Sequence, residues 1–527
     1  MEELRNIAID KLKNIKKDVG EVQSILDKLD EEVDSLKRKL PEKVDFDKFK
    51  IFLRRPYTIV PTKNDSWYIV VPKFIPFSVG FYDHSEGEYN YYMLNRYTQW
   101  LGEIPDWMKE EIKIPESMKI TLVDGSINFE EGKEEEIRKK FGGYLTSVSR
   151  GTGKVRVGNE FELIAEIIRR GSLPFAPHPV DAKDIIKGSG KIRFEGEYEF
   201  QKEAIEKFMQ YGCVSIHYPT GAGKDVIATH LLDIIKVDNL PNLYIAPNLT
   251  ILEQMEKEYF PTFAPRLLKE MKEGQLILST YQNYENLKDK EYGLVVFSEN
   301  HVLPADTFSK LATLKTKYRI GASASPYRED GRTELIWALS GIPIGMNWGE
   351  VIKKLGKDYH DIYVHILPNE RDKFKKTQDL FDPKKKTLIF TWRLDIGKKI
   401  AEMLGIPFIS GETKNRIEII KNNKAFVISS VGELGISIKD LEHIIEVDFL
   451  FGSKREEIQR TGRLLHSEEE KAKRHDILFS EDEYYKYGKR LRSLEEKGFF
   501  PVIMPYTSKL EFKEPKKSLK KKGKRIW

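Results

Sequence analysis

The chain is 527 residues long, room for three or four domains, with 32% charged and 40% hydrophobic residues and a net charge of +5. That balance describes a soluble globular protein; it permits a nucleic-acid partner without requiring one, because a basic excess matters only where it is concentrated. No apolar run approaches a membrane span, the Met1-Glu2-Glu3-Leu4 start lacks a signal-peptide layout, and the single Cys213 excludes an internal disulfide, a cysteine zinc site or a cysteine-ligated cluster. The expected location is a cytoplasm, that of the host if the chain is viral. Nine Gln and one Cys against abundant Lys, Glu and Ile give a bias also found in thermophiles.

In chain order, Leu12, Ile15, Val19, Val22, Leu26, Leu29, Val33, Leu36 and Leu40 alternate steps of three and four, with mostly Lys, Glu and Asp between them. This predicts a long heptad helix over 1–43. Its seam either pairs residues 12–40 with another chain, as a homo- or hetero-oligomer, or lies on its own domain. Residues 44–187 mix short strand patterns (66–72, 119–124) with helical ones (134–141, 160–170) and gather aromatics such as Trp67, Tyr68, Tyr91, Tyr92 and Trp100. We expect an accessory α+β domain there, its aromatics forming a core or stacking on DNA bases.

From residue 188 apolar strands alternate with helical patterns. Buried parallel strands are predicted at 214–217, 242–246, 276–279, 294–297 and 319–322, with a helix over 225–235, and a second set at 387–391, 408–410, 425–429 and 443–447. Two α/β lobes follow, 188–346 and 347–485. A C-terminal extension, 486–527, ends in a basic tail: residues 513–525 hold eight basic residues and one acidic, most simply a solvated disordered segment.

Pro219-Thr220-Gly221-Ala222-Gly223-Lys224-Asp225, between a strand and a helix, has the layout of a phosphate loop, in which glycines let backbone N–H groups approach phosphate and Lys224 meets its charge. Such loops follow their Lys with Ser or Thr, whose hydroxyl ligates Mg²⁺, and Asp225 stands there instead. The partner motif, which opens with a metal-binding Asp, reads Ser298-Glu299-Asn300-His301. The two departures together keep one hydroxyl and one carboxylate at the metal. Glu299 is the expected base for the attacking water, and Gln459-Arg460-Thr461-Gly462-Arg463 supplies guanidinium groups for developing phosphoryl charge. The implied cofactors are ATP and Mg²⁺.

With these motifs in order, residues 194–466 resemble a superfamily-2 helicase, most closely the XPB branch with relatives such as the phage UvsW helicase. The resemblance implies two RecA-like lobes that use ATP to move on nucleic acid, double-stranded or branched DNA in this branch. It gives Gln201 to adenine recognition, Pro247 and Thr280 to backbone contacts, Ser323 and Ser325 to coupling, and Gly411, with Arg416, to an early second-lobe motif. Arg328, Glu329 and Asp330 match the triplet that marks the XPB branch. Ser437 replaces a common Asp, and His466 replaces the last Arg of its motif, leaving that work to Arg460 and Arg463. The short stretch between Asp330 and Thr387 predicts that the XPB thumb insertion is short or absent.

The altered metal site divides two readings. Without metal, Asp225 at about 4 Å from a phosphate oxygen would repel it by roughly 4 kcal/mol at an effective dielectric near 20. With Mg²⁺ between them the same carboxylate is a hard oxygen ligand of the kind the ion takes. The chain is then either a working helicase or translocase with an exchanged site, or an impaired pseudo-ATPase acting as a nucleic-acid scaffold.

Overall fold

The computed structural model describes residues 57–62, 66–73, 80–94, 100, 112, 118–190, 192, 194, 198–324, 327–328, 331–355, 359–429, 438, 440–449, 460–466 and 473–505. The heptad helix over 1–43 and the basic tail lie outside them, as do Ser325, Glu329, Asp330, Gln459 and Ser437.

Residues 44–187 hold two separate units, where a single α+β domain is expected from sequence. Strands β1 (Thr58–Pro61), β2 (Trp67–Pro72), β3 (Phe81–Glu86) and β4 (Tyr89–Leu94) form an antiparallel sheet in the order β1-β2-β4-β3. Alternation sends Trp67, Ile69, Tyr92 and Leu94 into its core and leaves Tyr68, His84 and Tyr91 on the other face. A second sheet, order β5-β6-β8-β7, contains β5 (Ile120–Val123), β6 (Ser126–Phe129), β7 (Leu145–Ser149) and β8 (Thr152–Val155). It packs its own core of Ile120, Ile127, Leu145 and Val155 on helices α1 (Glu134–Phe141) and α2 (Glu160–Arg169). The two sheets contribute to separate clusters, so among the described residues this compositional segment holds two cores.

The first lobe begins with helix α3 (Gln201–Tyr211) and strand β9 (Cys213–His217), followed by helix α4 (Lys224–Ile234), β10 (Asn242–Ala246), helix α5 (Leu249–Gln254), β11 (Leu276–Thr280), β12 (Glu291–Ser298), β13 (Lys315–Ala322), helix α6 (Thr333–Ser340) and β14 (Ile342–Gly345). All six strands are parallel, in the order β11-β10-β12-β13-β9-β14. β9 and β10 leave opposite sides of the β12–β13 pair, which opens a crevice at the strand carboxyl ends where ligands bind in such sheets. Ile164, Ala165 and Ile168 of α2 pack on Ile336, Trp337 and Ala338 of α6, docking the second small sheet on this lobe. Each fully buried Ile of that contact contributes about 1.5–3 kcal/mol.

The second lobe contains β15 (Asp361–Leu367), β16 (Thr387–Thr391), β17 (Phe408–Ile409), helix α7 (Arg416–Asn422), β18 (Ala425–Ser429), β19 (His443–Glu446), β20 (Arg474–Ser480) and β21 (Val502–Pro505). Its seven strands are also parallel, in the order β17-β18-β16-β19-β20-β15-β21. The edge strand β21 pairs with β15 from Tyr363↔Val502 to Ile366↔Pro505, so the sheet continues past residue 485, where sequence alone ends the lobe. Between residue 331 and β16 the described chain is spent on α6, β14, a helix at Trp348–Lys354, β15 and a helix at Glu370–Leu380. Among the described residues this leaves no separate insertion. No described helix is long and apolar enough to cross a membrane.

Candidate active site

β9 ends at His217 and hands the chain to the loop 219–223. Gly221 and Gly223 take left-handed backbone angles, φ 87° and 81°, and the Ala222 N–H closes a turn onto the Pro219 carbonyl at 3.1 Å. A Cβ on Gly223 would stand 2.2 Å from Gln201 Nε2, so this position tolerates only glycine. Gln201, which the resemblance assigns to adenine, is buried and donates from Nε2 to the Ala222 carbonyl at 2.8 Å, which holds the loop itself. No side chain caps α4, and Asp225 lies in its first turn. The orphan N–H groups of that turn point at the loop.

Lys224 Nζ donates to the Pro219 carbonyl at 3.2 Å. Burial lowers its pKa, while Asp225 and Glu299 act to raise it. Burial raises the pKa of Asp225, Lys224 opposes this, and Glu299 adds to it. These three side chains therefore share one electrostatic neighbourhood. Tyr244 of β10 completes it: the phenol donates to Asp225 Oδ1 at 3.4 Å.

Ser298 closes β12, level with Ala322 of β13, which is in turn level with Ile216 of β9. That register sets the partner motif, the segment after β13 and the phosphate loop side by side. Glu299 then turns into the left-handed region, φ 54° and ψ 47°, uncommon for a residue with a side chain. Its Oε2 lies 3.1 Å from His301 Nδ1 and 3.4 Å from Ser323 Oγ, and those two atoms are 2.6 Å apart. The Arg328 guanidinium donates to the His301 carbonyl at 2.7 Å. Ser323 and Arg328 are thus connected to Glu299. Beneath them His217 accepts from Trp337 Nε1 at 2.9 Å; burial, then His301 and Lys224, push its pKa down to about 3.

The second lobe meets the loop at Gly462, where a Cβ would stand 2.8 Å from both Thr220 Cβ and the Trp348 ring. The neighbouring Arg463 is buried at this junction. Arg460 points elsewhere: its guanidinium donates to Glu446 at 2.9 Å and lies over the Phe390 ring. Glu446, fully buried in β19, also meets His475 Nε2 at 3.1 Å and Arg490 at 3.7 Å. Arg460 is accordingly anchored inside its own lobe, while buried Arg463 follows Gly462, the residue that meets the phosphate loop.

Of the residues assigned to nucleic-acid contact, Pro247 follows β10 and its carbonyl accepts from Gln282 Nε2 at 3.2 Å, and Thr280 ends β11. The Gly411 carbonyl accepts from Arg416, whose NH1 also reaches across the lobes to Thr250 Oγ1 at 2.8 Å. Among the described residues, no hydrogen bond joins Pro247, Thr280 or Gly411 to the phosphate loop. Tyr244, His217 and Glu446 were missed by sequence reasoning. Each left a signal, a polar group inside an otherwise apolar strand.

Residues 368–520 match the family model described as ERCC3/RAD25/XPB C-terminal helicase, and residues 196–328 match that of the type III restriction enzyme res subunit. A chain of Haloarcula marismortui bearing the name of a Rad25 DNA 3'-5' helicase is 27% identical over 316 residues, 51% of this chain and 50% of its own. The DNA 3'-5' helicase XPB of Mycobacterium tuberculosis is 24% identical over 320 residues, 51% of this chain and 57% of its own. The DNA 3'-5' translocase XPB2 of Sulfurisphaera tokodaii is 23% identical over 424 residues, 65% of this chain and 92% of its own. This chain spans about half the length of the first of these relatives. One matching model falls on each parallel-sheet lobe, and Gly462 of the arginine motif meets Thr220 of the phosphate loop where those lobes touch: across both lobes the chain is similar to superfamily-2 helicases of the XPB and Rad25 kind.

Proposed function

We propose that the protein is an ATP-dependent DNA helicase or translocase whose Mg²⁺ site has exchanged its hydroxyl and carboxylate between the phosphate loop and the partner motif. The observations that support the exchange are the Tyr244 phenol of β10 on Asp225 and the pairing of β10 with β12, which ends at Ser298. Both altered positions thus border β10, as two ligands of one ion must lie close together. DNA as the track is supported by the names of the relatives, each a DNA 3'-5' helicase or translocase.

The donor set fits Mg²⁺. Among the described residues no three His, Cys, Asp or Glu side chains converge on a point. The chain therefore offers one carboxylate and one hydroxyl, hard oxygens that leave most positions to phosphate and water, as this ion prefers. When bound, the ion would supply positive charge against the charge that develops on the phosphates. The chain's own residues do the rest. The Lys224 ammonium, destabilised by burial, gains a counter-charge when phosphate arrives. Glu299, aimed by its left-handed backbone and held near His301 and Ser323, takes a proton from the attacking water. Arg463 stands where closure against Thr220 brings it to the phosphates, and Arg460 positions its motif through Glu446.

A second reading rests on the same carboxylate. If no metal binds, Asp225 repels nucleotide, and the chain is a nucleic-acid scaffold with a lapsed ATPase. Hydrolysis of Mg²⁺-ATP, followed with and without single- and double-stranded DNA and again in EDTA, separates the two. DNA-stimulated, EDTA-sensitive turnover is expected; absence of turnover under every condition supports the scaffold.

A further inference from the structure

Tyr244 sits in the middle of β10, level with Leu278 on one side and Val296 on the other, and is fully buried. Strand alternation puts its neighbours Leu243 and Ile245 in the core on one face of the sheet. The ring belongs to the opposite core, with Ile227, Ala228 and Leu231 of α4, the helix that carries Asp225. A Leu or Val would fill that space without introducing a polar atom. The phenol instead carries a hydroxyl to the base of the metal site. A neutral phenol has one proton to give and lone pairs to accept with. Here it gives the proton to Asp225 Oδ1 at 3.4 Å. Tyr259, from the one-turn π-helix Met255–Tyr259, lies within electrostatic reach of the same carboxylate.

We infer that Tyr244 is a positioning residue for the exchanged site: its hydroxyl fixes one oxygen of Asp225 so that the other is presented to Mg²⁺. The inference rests on the exchanged-site reading. An outer hydrogen bond removes rotamer freedom from a ligating carboxylate. Such partners to a ligating carboxylate typically change metal affinity by about 10- to 100-fold.

The test is Tyr244→Phe in the full chain, which keeps the ring and removes only the hydroxyl. A fluorescent ATP analogue is titrated at increasing Mg²⁺, and Mn²⁺ binding is followed in parallel by electron paramagnetic resonance. The Mg²⁺ needed for half-maximal nucleotide binding should rise by about 10- to 100-fold, with nucleotide affinity in EDTA unchanged. In the background Asp225→Thr with Ser298→Asp, where the carboxylate stands at the strand end, adding Tyr244→Phe should shift the Mg²⁺ requirement far less. That second comparison also shows whether a loss in the first came from misfolding, since misfolding would damage both backgrounds alike. An unchanged Mg²⁺ requirement in Tyr244→Phe, or equal shifts in the two backgrounds, overturns the role of Tyr244 and leaves the exchanged site standing. A parent chain whose nucleotide binding ignores Mg²⁺ and Mn²⁺ overturns the exchanged site and Tyr244 with it.

Discussion

Glu299 holds a backbone conformation that costs a residue with a side chain about 1–3 kcal/mol, and it does so at the end of the strand that also delivers Ser298. Strain of this kind persists where surrounding contacts enforce it, here His301 and Ser323 around the carboxylate. Glu299→Gln keeps the size and removes the base. Hydrolysis should fall by about 10²- to 10⁴-fold while binding of Mg²⁺-ATP stays near its starting value, measured by single-turnover kinetics beside equilibrium titration. Lys224, Asp225, Ser298 and Glu299 were legible because loop and strand-end motifs fix side chains by backbone position. Tyr244 was not, because a tyrosine in an apolar strand also reads as packing. Only the distance from its hydroxyl to Asp225 distinguishes the two.

At the scale of elements, the strands with unbroken apolar runs were read correctly. β10 and β18 keep the limits their sequences gave, and β9 and β12 differ only at their ends. β15 and β20 were passed over because His365, His475 and Asp476 interrupt their apolar runs, although all three are buried in paired networks. The network around Glu446 has a stability consequence. Burial alone would raise that carboxyl, but Arg460, His475 and Arg490 outweigh it and hold it well below the usual carboxylate range. Glu446→Gln removes the counter-charge from Arg460 and should cost about 3–5 kcal/mol, seen as a lower calorimetric melting temperature with the arginine motif loosened. In the first lobe His217 gives a pH dependence of defined sign. Its folded pKa of about 3 lies below its ordinary 6.5, so under 6.5 the unfolded chain takes up a proton that the folded chain refuses. Stability is present above 6.5 and is lost as pH falls toward 3. Melting temperatures between about pH 7 and 5, before most carboxylates titrate, should decline less in His217→Gln than in the parent.

At the scale of the whole molecule, the contacts between the lobes include Gly462 against Thr220, Arg416 on Thr250, and Lys421 with Glu258 at 2.8 Å. Two of these engage α5 and the π-helical turn that follows it, and the third engages the phosphate loop, so lobe movement and nucleotide occupancy share a mechanical boundary. Under the proposed function, DNA bound through both lobes would release counterions, and affinity should fall steeply with salt. Removing residues 513–527 should weaken binding almost uniformly across sequences and flatten that salt slope, while DNA-stimulated ATPase persists at saturating DNA; filter binding and ATPase over a salt series would read both. Turnover itself needs loop, base and arginine in register, and the exchanged metal site stands or falls on it. The decisive measurement is steady-state Mg²⁺-ATP hydrolysis by the parent chain, Asp225→Thr, and Asp225→Thr combined with Ser298→Asp. The single substitution should lower turnover by about 100-fold or more, and the double substitution should restore much of it; a double variant no more active than the single one would contradict the exchange.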